Sequence, residues 1–208
     1  SVEPSISGNG AWVAFSSRAG NMLPGFVENN GMFDRDVFIR NMGDDTTHLV
    51  SARFNDPVGS GNGTAEEPDL AGTPGALAAV KVAFTSYSTD HADNGVTDPE
   101  SHASIYLREM SSTPSQLVSR ANGPAGANAD SRAHTPSISA DASRIIFTSD
   151  AQNLGPPPDY YGVYLRDVDS SSTSLVSYDN SYAVFGLLSG DGSTGAWGEA
   201  GGATADSD

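Results

Sequence analysis

The sequence predicts an all-β fold, a β-propeller built from four-stranded antiparallel blades. In three places a serine lies eight residues before an aromatic residue, with a turn and a strand between them; the pairs are Ser7/Phe15, Ser139/Phe147 and Ser189/Trp197. In three places an arginine lies ten residues before a valine, with a turn between two strands; the pairs are Arg40/Val50, Arg108/Val118 and Arg166/Val176. Four-stranded units that repeat in this way are typical of propellers.

Each predicted blade contains four strands, named A to D in chain order. In the first blade we place them at Pro4–Ser7, Trp12–Ser16, Asp36–Arg40 and Thr47–Ser51. The expected blades span residues 3–51, 67–119 and 134–177, and residues 182–200 supply strands A and B of a half blade. The second blade carries an insertion of five residues between strands A and B. Residues 1–208 are therefore expected to form a single propeller segment of about three and a half blades.

Strands B and C are apolar almost throughout, as in the run VAFTS at 82–86. A strand that is buried on both faces has this pattern, whereas the strands of a sandwich alternate apolar and polar residues more cleanly. Blades of a propeller are covered on both faces by their neighbours. We therefore expect four aromatic residues to occupy equivalent buried positions in strand B; they are Phe15, Phe84, Phe147 and Trp197.

Short motifs at the turns resemble those of a known family. The segments SAD at 139–141 and SGDG at 189–192, each followed by a B strand, resemble the SPDG-type motif of WD40-like (PD40) repeats in TolB-like β-propellers. NMLPG at 21–25 and NLGP at 153–156 resemble the N-L-x-P-G element of that family. The resemblance covers about Glu3–Trp197 and implies the fold, while saying almost nothing about activity. Blade 2 departs from it, because AGTP at 71–74 replaces the aspartate turn.

Composition excludes several functions. The chain has 26 acidic and 10 basic residues, a net charge of −16, so nucleic acid and anionic membranes are unexpected partners. It has no cysteine, which excludes disulfides, thiolate catalysis and cysteine-based zinc sites. No apolar run is long enough to span a membrane. This composition fits a reducing compartment or a bacterial exported protein, and we expect a secreted, periplasmic or cell-surface location.

The predicted ring is incomplete, because propellers close with four or more blades. Open strand edges at both ends would favour aggregation. The remainder of the propeller is expected from the same polypeptide or, as the less favoured alternative, from another chain.

A calcium site is one candidate function of the long loops between strands B and C. In blade 2, Asp90, Asp93, Asn94 and Asp98 surround Gly95 and offer the hard oxygen ligands that Ca²⁺ prefers. The spacing is not that of an EF-hand, and the same residue types are ordinary turn formers. A weaker candidate lies in the corresponding loop of blade 1, at Glu28, Asn30, Asp34 and Asp36.

A ligand site at the channel mouth is a second candidate. Strand A is innermost in a propeller, so residues at its start converge near one end of the channel. These residues are Glu3, Glu66, Glu67 and His134. Together they could bind a cation or an amine, or they could simply solvate the mouth.

Catalytic motifs are not evident. There is no G-x-S-x-G elbow, and the four histidines are scattered without an H-E-x-x-H pair. The arginines that recur at the end of strand C, Arg40, Arg108 and Arg166, indicate an architectural role. We therefore expect a non-catalytic exported module that binds a protein or small ligand. The alternative is the propeller portion of a larger hydrolase or lyase whose catalytic residues lie elsewhere.

Overall fold

The computed structural model describes residues 1–31, 33–91, 102–112, 114–156, 160–177 and 183–199, and the backbone alone at 183, 184 and 199. These residues form three four-stranded antiparallel sheets and one two-stranded sheet, each with its strands in chain order. Blade 1 comprises β1 (Val2–Ile6), β2 (Trp12–Ser17), β3 (Asp36–Asn41) and β4 (Thr47–Leu49). Blade 2 comprises β5 (Ala65–Leu70), β6 (Lys81–Ser86), β7 (Ser104–Glu109) and β8 (Gln116–Leu117). Blade 3 comprises β9 (Ala133–Ile138), β10 (Arg144–Ser149), β11 (Gly162–Asp167) and β12 (Ser172–Leu175), and the half blade comprises β13 (Ala183–Leu188) and β14 (Gly195–Glu199).

The second and third strands pair in the same register in every complete blade. As a result, an aromatic ring of the second strand faces one of the third in each blade; the pairs are Phe15/Phe38, Phe84/Tyr106 and Phe147/Tyr164. Their ring centroids lie 6.0, 5.9 and 6.0 Å apart, and all three pairs are stacked. The sequence repeat is therefore a structural repeat.

The core lies between the blades. Successive residues of the second strand point to opposite neighbours, so Phe84 packs with Trp12 of blade 1 while Ala83 packs with Phe147 of blade 3. A smaller cluster joins Ile146 of blade 3 to Trp197 of the half blade. Because both faces of blades 2 and 3 are covered, their strands can be apolar throughout. The predicted partial β-propeller is confirmed.

Two of the four aromatic positions are less buried than predicted. Phe84 and Phe147 are fully buried, whereas Phe15 and Trp197 are half-buried. Phe15 points away from blade 2 and is covered by the loop residues Met22, Leu23 and Phe26 instead of by a blade. Trp197 belongs to a sheet of two strands, which shields it less.

The fourth strand is also shorter than predicted. In blade 1 it ends at Leu49, two residues before the predicted end at Ser51. Beyond Leu49 the backbone amides of both Val50 and Ser51 donate to the carbonyl of Val37, so the ladder ends in a bulge. The first strand begins at Val2, two residues earlier than predicted. The insertion in blade 2 contains a short 3₁₀ turn, Leu77–Ala79.

The predicted turn between the first two strands is built by side chains. In blade 3 the Asp141 carboxylate accepts hydrogen bonds from Ser139 Oγ at 2.7 Å and from the amide and hydroxyl of Ser143, both at 2.9 Å. These bonds lower the pKa of Asp141 to about 2. Ser7 with Asn9, and Ser189 with Asp191, form the same contact in blade 1 and in the half blade.

Candidate binding groove

The first strands of successive blades lie side by side, in the order β1, β5, β9, β13. Three of them contain the same four-residue pattern, in which a glutamate or threonine is followed by a proline, a polar residue and an aliphatic residue. The residue before proline has a positive φ each time, 54° at Glu3, 53° at Glu67 and 52° at Thr135. This conformation is uncommon outside glycine, and it coincides with a register shift in each strand.

The carboxylates of Glu3 and Glu67 link one blade to the next. Glu3 Oε2 accepts a hydrogen bond of 3.0 Å from the backbone amide of Glu67. Glu67 Oε2 in turn accepts one of 2.8 Å from the backbone amide of Thr135. Each carboxylate also accepts a hydrogen bond from a hydroxyl of its own blade. Ser16 Oγ donates to Glu3 at 2.8 Å, and Thr85 Oγ1 donates to Glu67 at 2.7 Å. Each glutamate is therefore fixed in one position.

A second row of links runs parallel to the first. Ser5 Oγ accepts from the amide of Leu70 at 3.1 Å, and Asp69 Oδ2 accepts from the amide of Ile138 at 2.9 Å. Ser137 Oγ accepts from the amide of Leu188 at 3.1 Å. Side chains of each first strand thus accept hydrogen bonds from backbone amides of the first strand in the following blade.

These strands line a groove of about 530 Å³. Of the four residues predicted to bind a ligand, Glu3 and Glu67 line this groove. Glu66 lies beside it and contacts Arg35, whose Nη1 is 3.4 Å from both Glu66 Oε2 and Glu3 Oε1. His134 is half-buried and packs near Tyr87, with ring centroids 6.4 Å apart.

The electrostatics of the groove are dominated by carboxylates. Burial, and then repulsion from Glu3 and Glu67, raise the pKa of Glu66. Burial lowers the pKa of His134, which favours the neutral ring. The described groove and its rim therefore present a field of negative charge that Arg35 balances in part.

The predicted calcium loop lies mostly outside the described residues, which include Asp90 but not Asp93, Asn94 or Asp98. Asp90 Oδ1 accepts hydrogen bonds from Ser88 Oγ at 2.8 Å and from the amide of Asn62 at 3.0 Å. In the part of the chain that the structure describes, no three histidine or carboxylate side chains are placed to hold a metal ion together.

The weaker metal candidate in blade 1 is a hydrogen-bonded cluster. Asp36 is buried and accepts hydrogen bonds from Ser51 Oγ at 2.9 Å and from Asn30 Nδ2 at 3.4 Å. Burial raises the pKa of Asp36 to about 7, and the nearby charges of Glu28 and Asp34 add to this effect. A carboxyl group that resists ionisation is a poor ligand for a hard cation.

One serine–histidine contact resembles a nucleophile and its base. Ser86 Oγ lies 2.9 Å from His91 Nε2, and His91 Nδ1 lies 3.1 Å from the carbonyl of Ala52. Both side chains are fully buried, and burial lowers the pKa of His91 to about 4. Through the carbonyl of Ala52, the pair links blade 2 to blade 1.

Sequence reasoning found the acidic start of the first strand but missed the links between blades. Three of the linking residues, Ser5, Asp69 and Ser137, directly follow a proline, and Thr135 directly precedes one. Aligning the first strands alone would have revealed this pattern.

Comparisons with known proteins support the fold. No protein-family model matches the chain, and no curated protein matches its sequence. TolB from Acinetobacter baumannii is similar in structure, with a TM-score of 0.52 and 14% identity over 91% of this chain and 35% of that one. A TolB from Agrobacterium tumefaciens overlaps less, with a TM-score of 0.44 and 13% identity over 83% of this chain and 63% of that one.

The first of these likenesses shows a TolB-like propeller fold and nothing finer. The chain spans about a third of the Acinetobacter protein, 35% of its length. Within the described residues, no helix is long and apolar enough to cross a bilayer.

Proposed function

We propose that this chain is a non-catalytic propeller module whose groove binds a basic segment of a partner protein. The observation that carries the proposal is the acidic groove along the first strands, where Glu3, Glu67 and Asp69 are held by hydrogen bonds to the neighbouring blade. Carboxylates that are already fixed lose little conformational entropy when a ligand binds.

The chemistry of the groove indicates how such a partner is recognised. The amides of Leu70, Ile138 and Leu188 are occupied by side chains of the preceding blade, so a peptide cannot pair with them as an added strand. Recognition must then depend on charge and on side chains that enter the groove. Lysine and arginine side chains suit this site because their charge complements the carboxylates and their stems can pack on its prolines and leucines.

The same proposal places the module outside the cytoplasm, in a secreted, periplasmic or cell-surface setting of bacterial type. The TolB-like fold supports this location, and the cysteine-free, acidic composition is compatible with it. Fractionation of the host organism, with antibodies against the chain, would test it. Recovery with cytoplasmic markers alone would contradict it.

Binding can be tested with a short fluorescent lysine-rich peptide and with acidic and neutral peptides of the same length. We expect measurable anisotropy changes with the basic peptide alone, weakened as ionic strength rises from about 0.05 M to about 0.5 M. Each of Glu3→Gln and Glu67→Gln should weaken binding about fivefold, since one close charge pair in water-exposed surroundings contributes about 1 kcal/mol. Glutamine keeps a hydrogen-bond acceptor for the neighbouring amide.

The matched control is Asp169→Asn, which removes one negative charge from the exposed turn of the outer hairpin in blade 3. It should leave binding unchanged. Equal losses in the groove and control variants would show that net charge, and not the groove, attracts the peptide.

A further inference from the structure

The three recurring arginines at the end of the third strand occupy the same register position but differ in their contacts. Arg40 faces Thr47, and Arg166 faces Thr173. In blade 2, Leu107 faces Gln116, so the next pair outward is Arg108 and Ser115. Each arginine is thus aligned with a hydroxyl residue, which lies on the fourth strand in blades 1 and 3 and directly before that strand in blade 2.

Arg40 and Arg166 both donate hydrogen bonds within the fold, as an architectural role requires, although Arg166 Nε is buried without a partner among the described residues. Arg40 donates to Thr47 Oγ1 at 3.2 Å and to Asp45 Oδ1 at 2.6 Å. Arg166 is buried, and its Nη1 donates to Thr173 Oγ1 at 3.0 Å and to the carbonyl of Ala121 at 3.2 Å.

Arg108 is buried, with an exposed fraction of only 3%, and it lacks such partners among the described residues. Its Nε and Nη1 are buried and have no hydrogen-bond partner among the described residues, and the Oγ of Ser115 is in the same state. No described carboxylate forms an ion pair with it. Burial lowers the pKa of Arg108, but a guanidinium remains charged in proteins.

Arg108 lines a cleft of about 330 Å³ between blades 1 and 2. Its polar lining comprises Arg108, His48, Ser111 and Ser112, and its apolar lining includes Leu77 and Met110. A buried charge without a partner is strongly unfavourable, and an anion that enters the cleft would remove that penalty.

We propose that this cleft, named here the Arg108 cleft, binds a carboxylate attached to an apolar body. A carboxylate that reaches the guanidinium forms charge-assisted hydrogen bonds with it, and the planar fork of an arginine suits the two carboxylate oxygens better than a lysine ammonium does. The apolar walls favour an organic anion over a small inorganic one, which would stay hydrated. The carboxylate can come from a small organic acid or from the C-terminus of a partner chain.

The experiment titrates benzoate and acetate at constant ionic strength, with chloride as the balancing anion, and follows the Nε–H resonance of Arg108 by NMR. Benzoate should shift this resonance saturably and bind more tightly than acetate. Binding should fall at least about tenfold in Arg108→Met, because the charge-assisted pair is lost. Arg40→Met is the matched control, since it alters the equivalent residue of blade 1, and it should bind benzoate as the wild type does.

Folding of the variant can be followed separately. Without benzoate, Arg108→Met should melt no lower than the wild type, because it removes a buried unpaired charge. Arg108→Lys keeps the charge but not the fork, so it should fold and bind benzoate more weakly.

The source of the carboxylate is distinguished by a short apolar peptide with either a free or an amidated C-terminus. Binding of the free form alone, at least as tightly as benzoate, assigns the cleft to a chain terminus. Binding of benzoate without either peptide assigns it to a small organic acid. Absence of any saturable shift in the wild type, or equal benzoate binding by wild type and Arg108→Met, would overturn the proposal.

Discussion

Replacement of Phe147 by alanine tests the stacking of blades most simply. Phe147 is fully buried between blades 2 and 3 and stacks on Tyr164. Truncating a buried phenylalanine typically costs about 3–5 kcal/mol of stability. Phe15 provides the matched control, because it has the same strand position and the same stacking contact but is half-buried on the outer face of blade 1.

Phe15→Ala should therefore cost about 1–2 kcal/mol, in proportion to the smaller area removed from water. The difference between the two variants measures what a covering blade contributes. Urea unfolding with linear extrapolation gives both values, and unchanged slopes would show that the unfolded states remain comparable. A loss below about 1 kcal/mol for Phe147→Ala, or equal losses at the two positions, would refute the assigned packing.

Further predictions concern buried ionisable groups, the links between blades and calcium. Because the pKa of His91 is lowered to about 4, the free energy of unfolding of the wild type should fall by up to about 3 kcal/mol as the pH falls from about 6.5 to about 4. Urea unfolding should show this loss, and its persistence in His91→Gln would contradict the assignment. The pKa of Asp36 is raised to about 7, so its contribution to the free energy of unfolding should decrease as the pH rises from about 4 to about 7. Asp36→Asn should therefore gain in stability relative to the wild type across that range. Glu67→Ala should cost about 1–3 kcal/mol because the amide of Thr135 loses its acceptor, and an unchanged unfolding midpoint would be inconsistent with the link. We also propose that millimolar Ca²⁺ binds the loop from Asp90 to Asp98; calorimetry should show heat with the wild type and none with Asp93→Ala, and no heat with either would remove the site.

The blade repeat could be predicted from the sequence because its determinants are local. The turn at Asp141 is specified by serines within two residues of it, whose hydroxyls donate to its carboxylate. The hairpin that follows each recurring arginine has a constant length, so the register of its strands is fixed by the turn. Residues that determine their own neighbourhood in this way can be recognised in the sequence alone.

The remaining features depend on residues far apart in the chain. Phe15 and Phe147 have the same local sequence pattern, and only the presence or absence of a covering blade makes one of them half-buried. Glu3 binds the amide of Glu67, 64 positions away, through a backbone conformation that the sequence gives no reason to expect. Arg108 aligns with Arg40, yet the absence of partners around it among the described residues follows from packing and could not be inferred from the repeat.

The central claim is that the acidic groove along the first strands is the binding surface. NMR titration of the chain, labelled with ¹⁵N, with the lysine-rich peptide tests it directly. The claim predicts that the largest amide shifts fall on Glu67, Leu70, Thr135 and Ile138, whose N–H groups bond to the side chains that form the groove. Shifts confined to the long loops between the second and third strands, with these four amides unmoved, would contradict it.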